Sequence, residues 1–201
     1  MGEWAYALNQ LVNGLSVASI LGLMAVGLAL SFGLQRVINM AHGEWLMVGG
    51  YLAFLAYQNL SLSLYPLAAL ALGFVGGGLL ALLLEAGVIR YLYGRPLETL
   101  LATWGVALVL QQAARNLFGP VGVEVTAPPW LAGSWEVGGV VIPWVRVFVI
   151  LLALFTFAAL WAFFRWTTLG LHLRAVSQNR EMAAALGVHT RGVDALAFAL
   201  G

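Results

Sequence analysis

The chain has 201 residues, of which 62% are hydrophobic and 8% charged, with a net charge of +1 and no cysteine. A soluble domain carries about 25% charged residues, so this composition is that of an integral membrane protein. It offers no basic field for nucleic acid, no disulfide and no thiolate metal site. All nine cationic residues are arginines. Without a lysine the chain has no phosphate loop of the P-loop ATPase kind, so any ATP-driven work falls to another subunit.

About 20 apolar residues cross a bilayer core as helix, and five segments qualify: about 11–34, 45–64, 66–89, 97–118 and 146–164. The first is too long for a signal-peptide core and reads as a retained span. A sixth begins at Ala195 and stops at Gly201, after about 10 Å of helix. The expected fold is therefore all-α, a polytopic transmembrane helical bundle. It has five full spans and the start of a sixth, as one partial permease-like domain over 1–201 that is C-terminally truncated or naturally short. Small residues spaced by four (Ala25, Ala29 and Gly33; Gly73 and Gly77) are the usual vocabulary of close helix packing.

Between the first two predicted spans lies "RVINMAHGEWLMVGGY", where Arg36, Asn39, His42 and Glu44 gather within nine residues. HExxH is absent, and the other two histidines, His172 and His189, are remote in sequence. No metal site, catalytic residue or bound cofactor is expected. Two readings stay open here. In one the segment is a solvated loop whose polar residues cap helix ends. In the other it breaks near Ala41–Gly43 and dips into a solute path, as discontinuous helices do in transporters.

Near the end of the third span, the depth of Glu85 is about one turn, which favours a pair with a basic neighbour. On the fourth, Trp104, Gln111 and Arg115 fall within about 40° of one another, while Thr99 and Thr103 share another face. Amides in hydrocarbon cost several kcal/mol unless satisfied, so Gln111 and Gln112 face protein or water. Asn39, His42, Glu44, Thr103, Trp104, Gln111 and Gln112 are thus the candidate solute-path residues. Interhelical hydrogen bonding is an equally good reading of the glutamines.

Residues 119–143, rich in Gly, Pro and Trp, predict turns and a short hairpin on the outer side, with Trp130 and Trp135 at headgroup level. Residues 165–194 form the one long polar stretch, with helix formers in the middle and a stop at Gly187. Arg174, Gln178 and Glu181 are expected on one helix face. Arginine bias sets the topology: Arg36, Arg90, Arg95, Arg165, Arg174, Arg180 and Arg191 inside, Arg115 and Arg146 outside. The N-terminus is then extracytoplasmic and 165–194 cytoplasmic.

Three stretches carry a family resemblance: "INMAHGEWLMVGGYLA", "ETLLATWGVALVLQQAARNLFGP" and the run Gly170, Arg174, Ala175, Asn179, Ala183, Ala184, Gly187. They resemble permeases of the branched-chain amino acid family of ABC importers. The resemblance covers about Leu11 to the last residue, and within that family the chain looks most like the urea-transporter permease. "LETLLATWG", "LQQAARNLFG" followed by "VEV", "PPWLAGSWEVGG" and "RAVSQNREMAAALGV" carry that finer likeness. It implies a coupling loop of Gly170, Arg174, Ala175, Gln178, Asn179, Glu181, Ala183, Ala184 and Gly187 seated on an ATPase subunit. Glu181 is followed by Met182 rather than by the two alanines of the related EAA loop. The implied partners are ABC ATPases, a second homologous permease, an extracytoplasmic solute-binding protein and the lipid bilayer, in a bacterial plasma membrane. The implied solute is urea or a similar small amide. A branched-chain amino acid is the alternative, and a passive urea or water channel is the reading from another class.

Overall fold

A computed structural model describes residues 3–201. Eight α-helices follow in order: α1 Glu3–Gln35, α2 His42–Asn59, α3 Tyr65–Gly87, α4 Pro96–Phe118, α5 Trp144–Trp166, α6 Thr168–Gln178, α7 Arg180–Ala185 and α8 Thr190–Leu200. A 3₁₀ turn, Ile89–Tyr91, follows α3. Among the described residues the only sheet is a hairpin of β1, Ser134–Val137, and β2, Val140–Pro143. The protein is thus the all-α membrane bundle its composition implies.

Among the described residues three helical stretches are long and apolar enough to cross a membrane: Glu3–Gln35, Tyr65–Tyr91 and Trp144–Trp166. The expected second and fourth spans form as α2 and α4 but fall outside that set. Glu44 and His42 open the 18-residue α2, and α4 carries Glu98, Gln111, Gln112, Arg115 and Asn116. The α1 helix, at 33 residues, is about 50 Å long, well beyond the roughly 30 Å of hydrocarbon.

The bundle is built on α1 and α3. The α5 helix lies along α1, α2 lies along α3, and α8 packs against both α1 and α3. One core cluster joins Val37, Ala81, Leu84, Ile89 and Phe198. A second joins Leu173, Val176, Ala183, Val193 and Ala197. The α6–α8 segment is therefore folded onto the bundle rather than left as a solvated loop.

At the opposite end, Gly138 and Gly139 turn the hairpin with φ of 60° and 87°, the left-handed pair a two-residue turn requires. Trp135 faces Ile142 across it, and the backbone N–H of Val141 donates to Asn9 Oδ1 of α1 at 3.1 Å. The hairpin expected in 119–143 forms and is tied to the start of α1.

The close helix approaches differ from the expected small-residue sets. Space for a side chain is open at Gly33 and Gly73, whereas a Cβ on Gly27 would lie 2.9 Å from His42 Cε1. Gly77 does receive a neighbour, since Trp45 Nε1 donates to its carbonyl at 3.2 Å. Spacing by four names a face, but which glycine admits a ring depends on what crosses it.

Gly170, in the first turn of α6, lies close against the end of α5. Thr167 caps α6, its hydroxyl accepting from the Gly170 N–H at 3.0 Å, and a Cβ there would sit 2.7 Å from Phe164 Cα. Gly170→Ala is expected to cost about 1–3 kcal/mol through backbone displacement. Gly33→Ala is expected to be neutral or stabilising by about 0.5–1 kcal/mol, because alanine favours helix. Thermal unfolding midpoints of the two variants in detergent check the contrast.

Candidate solute path and coupling segment

The polar segment between α1 and α2 is a break in the helical structure. Arg36 takes a left-handed conformation, φ 56°, which ends α1 and turns the chain back. Residues 36–41 carry no regular structure, yet Val37, Asn39 and Ala41 are buried. His42 Nε2 donates to the carbonyl of Met24 at 3.0 Å. Met24 lies eleven residues before the end of α1, about 16 Å along it. The segment thus runs back alongside α1 rather than lying as a solvated loop, and the break falls at residues 36–41, before the Ala41–Gly43 position expected for it.

Protein groups satisfy part of its backbone. Thr103 Oγ1 of α4 accepts from the Met40 N–H at 3.1 Å and lies 3.3 Å from the Ile38 carbonyl. The same hydroxyl lies 2.9 Å from the Thr99 carbonyl of its own helix. Asn39 folds back on its own chain, its Oδ1 accepting from the Ala41 N–H at 3.0 Å, an Asx turn that starts α2. Asn39 is accordingly occupied in a turn just ahead of α2, whose N-cap residue is Ala41, and Thr103 acts as a clamp.

From that start α2 presents Glu44 to α4, where Gln111 Nε2 donates to Glu44 Oε1 at 2.6 Å. Gln111 lies fifteen residues into α4, about 22 Å from its first residue. On the same face of α2, Met47 and Tyr51 line a cavity of about 320 Å³ with Gly50, Val123 and Val125. Tyr51 stacks on Phe118 at 4.1 Å. Glu44 and Gln111 do not line this cavity; Glu44 lies about one turn of α2 before Met47, which does.

Not all the expected path residues converge. Trp104 is 54% exposed, and Gln112 is exposed and bonded to Asn116 at 2.9 Å. The face shared by Trp104 and Arg115 turns away from the bundle. The threonine face packs instead: Thr99 and Thr103 are fully buried, and Thr99 Oγ1 donates to the Arg95 carbonyl at 2.9 Å. Glu85, 2% exposed, pairs with Arg90 at 3.1 Å, the basic neighbour its position called for.

In the segment after α5, the single expected helix is two. Asn179 ends α6 with φ −153° and caps α7, its Oδ1 accepting from the Met182 N–H at 2.9 Å. That side-chain bond competes with helix continuation, so Arg174 and Gln178 share α6 while Glu181 belongs to α7. A common face for the three is therefore corrected. Gly187, φ 87°, closes α7: its N–H reaches the Ala184 carbonyl and the Val188 N–H reaches Ala183, both at 3.0 Å, a Schellman stop. Gly170 and Ala183 are buried, Ala175 is half-buried, and Arg174, Gln178, Asn179, Glu181 and Ala184 are exposed.

Several organising residues escaped sequence reasoning. Arg180 grips Asp194 of α8 with two bonds of 2.8 and 2.6 Å, and Asp194 is 4% exposed. The pair holds the Arg180 guanidinium above its ordinary range, through the Asp194 hydrogen bond first. Gln35 Nε2 donates to the Asp194 carbonyl and to the Tyr93 hydroxyl. Burial first, then the Asp194 and Glu85 charges, push the Tyr93 phenol up, so it stays neutral. The available signal was Asp194 itself, the lone acid in the otherwise apolar run "GVDALAFAL". Among the described residues no cluster of His, Cys, Asp or Glu could hold a metal ion.

An irregular polar segment packed between the helices of an apolar bundle, beside an end built of short amphipathic helices, is an arrangement that suits a membrane transport protein. The chain belongs to the family described as branched-chain amino acid transport system / permease component, whose model matches residues 10–201. It is 31% identical to the high-affinity branched-chain amino acid transport system permease protein BraD of Pseudomonas aeruginosa, over 100% of this chain and 69% of that protein. It is 28% identical to the LivH permease proteins of Salmonella typhimurium and Escherichia coli, over 99% of this chain and 68% of each. No solved structure matches the chain significantly.

Thr103→Val keeps the shape of the clamp but leaves the Met40 N–H without its acceptor. The expected cost is about 1–3 kcal/mol, read as a lower unfolding midpoint, with faster proteolysis between α1 and α2.

Proposed function

We propose that this chain is the transmembrane subunit of an ATP-driven importer, and that its solute is urea or a similar small amide. The observation that carries the solute reading is the Glu44–Gln111 pair. A carboxylate accepts N–H bonds and an amide carbonyl accepts another, which suits a small neutral solute rich in N–H donors. The finer likeness of "LETLLATWG", "LQQAARNLFG" and "PPWLAGSWEVGG" to urea permeases supports the same solute. The second reading is a branched-chain amino acid, favoured by the names of the relatives, whose ammonium group would also suit Glu44.

Hydrolysis of ATP then belongs to separate ATPase subunits, since this chain has no lysine for a phosphate loop. The α6–α7 segment seats on an ATPase, with exposed Arg174, Gln178, Glu181 and Met182 as its contacts, and that end of the bundle is cytoplasmic. The arginine distribution supports the orientation. A second, related permease completes the path, and an external binding protein delivers solute. The chain needs no cofactor of its own, and the membrane is a bacterial plasma membrane.

The test is uptake in proteoliposomes holding the full transporter and its binding protein, with labelled urea and labelled leucine, with and without ATP. ATP-dependent urea uptake is expected. Uptake that ignores ATP overturns the importer reading, and leucine uptake alone overturns the urea assignment.

Gln111→Leu is expected to raise the KM for urea by about 2- to 12-fold, the loss of one hydrogen bond between neutral groups, about 0.5–1.5 kcal/mol. An unchanged KM would remove Gln111 from the path.

Arg174→Glu with Gly187→Pro is expected to abolish solute-stimulated ATP hydrolysis while the protein still inserts. Proline fixes φ near −65°, which the left-handed Gly187 cannot accept. Stimulation that survives in this variant argues against the coupling role.

A further inference from the structure

The α8 helix joins the two functional regions physically. One end is held by the α7 segment, through the two-bond grip of Arg180 on the buried Asp194. One turn further, about 6 Å along the axis, Phe198 is 2% exposed and packs with Val37 and Ile89. Its ring also meets Trp45 edge-on at 6.4 Å. Val37 lies at the start of the irregular segment and Trp45 in the first turn of α2 beyond it, so a single side chain packs on both sides of the break. From the α4 side Thr103 holds the middle of it, at Ile38 and Met40. Gln35 completes the bracket, donating to the Asp194 carbonyl from the last residue of α1.

We propose that α8 is the transmission element: displacement of the α6–α7 segment moves Asp194, and Phe198 carries the motion to residues 37–45 and so to the Glu44–Gln111 pair. The parts suit this task. A charged two-bond grip fixes direction as well as distance, and a helix is stiff over one turn. A close-packed aromatic pair passes displacement on because packed interiors shift between discrete arrangements rather than compress. Asp194, Phe198 and Trp45 are positioning residues in this scheme, acting on Glu44 without touching solute. The inference rests on the coupling role proposed for α6–α7.

The absence of cysteine allows a direct test. Gly43 is exposed beside Glu44, with open space at its Cβ, so Gly43→Cys places one thiol at the break. In the full transporter with its ATPases, its maleimide labelling rate is measured nucleotide-free and with ATP and vanadate. A change of about tenfold is expected. In Phe198→Ala it should fall to about twofold or less, with Phe198→Leu restoring part of it, while ATPase co-purification and detergent monodispersity stay unchanged. Asp194→Asn should weaken the response in the same way.

A full nucleotide response in Phe198→Ala, with ATPase bound, overturns the role of α8. So does a Gly43→Cys rate that ignores nucleotide in the otherwise unaltered chain with ATPase bound. Failure of the ATPases to co-purify even with the unaltered chain is distinct: it overturns the coupling reading, and this inference with it. If Phe198→Ala is not monodisperse, the comparison is carried by Asp194→Asn and Phe198→Leu, where an undiminished response in both overturns the proposal.

Discussion

Hydrocarbon offers backbone N–H and C=O groups no hydrogen-bond partner, so an interrupted helix persists in a membrane bundle only where protein supplies the missing partners. Most of the arrangement around residues 36–41 follows from that constraint. Arg36 stops α1 with a left-handed turn, a conformation that costs a non-glycine residue roughly 1–2 kcal/mol. The chain behind it is then bound by Thr103, by the Asn39 side chain, and by His42 on the Met24 carbonyl. Gly27 leaves room for the imidazole, and Gly77 offers its carbonyl to Trp45. Each of these residues is explained by the break, and each would be an ordinary membrane residue without it.

The charged groups obey the same rule. Glu85 has Arg90 and Asp194 has Arg180, and in both pairs the carboxylate is buried while the guanidinium reaches outward. Such pairs are weak evidence for net stability, because desolvation offsets the attraction. Their value is in register: Arg180 ties α7 to α8, and Gln35 ties α8 to α1. Glu44 is different, since its partner Gln111 is neutral. A carboxylate answered by an amide keeps unused acceptor capacity, which is why the solute reading centres on it rather than on the ion-paired acids.

Much of the fold was legible in the sequence because a bilayer imposes long apolar runs, and all five predicted runs became helices. Turn chemistry was legible in part: the glycine pair in the hairpin and Gly187 after α7 stand where turns occur, whereas the turn expected at Gly170 falls at Thr167, and Gly170 lies within α6. The polar faces were not. Helical geometry put Trp104, Gln111 and Arg115 together, yet only Gln111 meets α2, because the α2–α4 contact follows the threonine side. The continuous helix expected through Arg174 and Glu181 failed on one residue, Asn179, whose amide is better suited to a cap than to a helix interior. Arg180 and Asp194, fourteen positions apart, had no periodic signal to join them.

By itself the sequence determined that this chain lives in a membrane, that it is helical, that it lacks its own ATP-binding lysine, and where its polar break falls. Composition and local backbone preference suffice for those, since each depends on a residue and its near neighbours. Only the tertiary structure decided that the break folds back along α1, that Glu44 answers Gln111 across 67 positions, and that α8 packs on the segment through Phe198. Those depend on which helices cross and at what height. Apolar side chains in lipid are nearly interchangeable, so hydrophobic pattern marks the helices without choosing their partners, and the few polar groups needing one another make the choice.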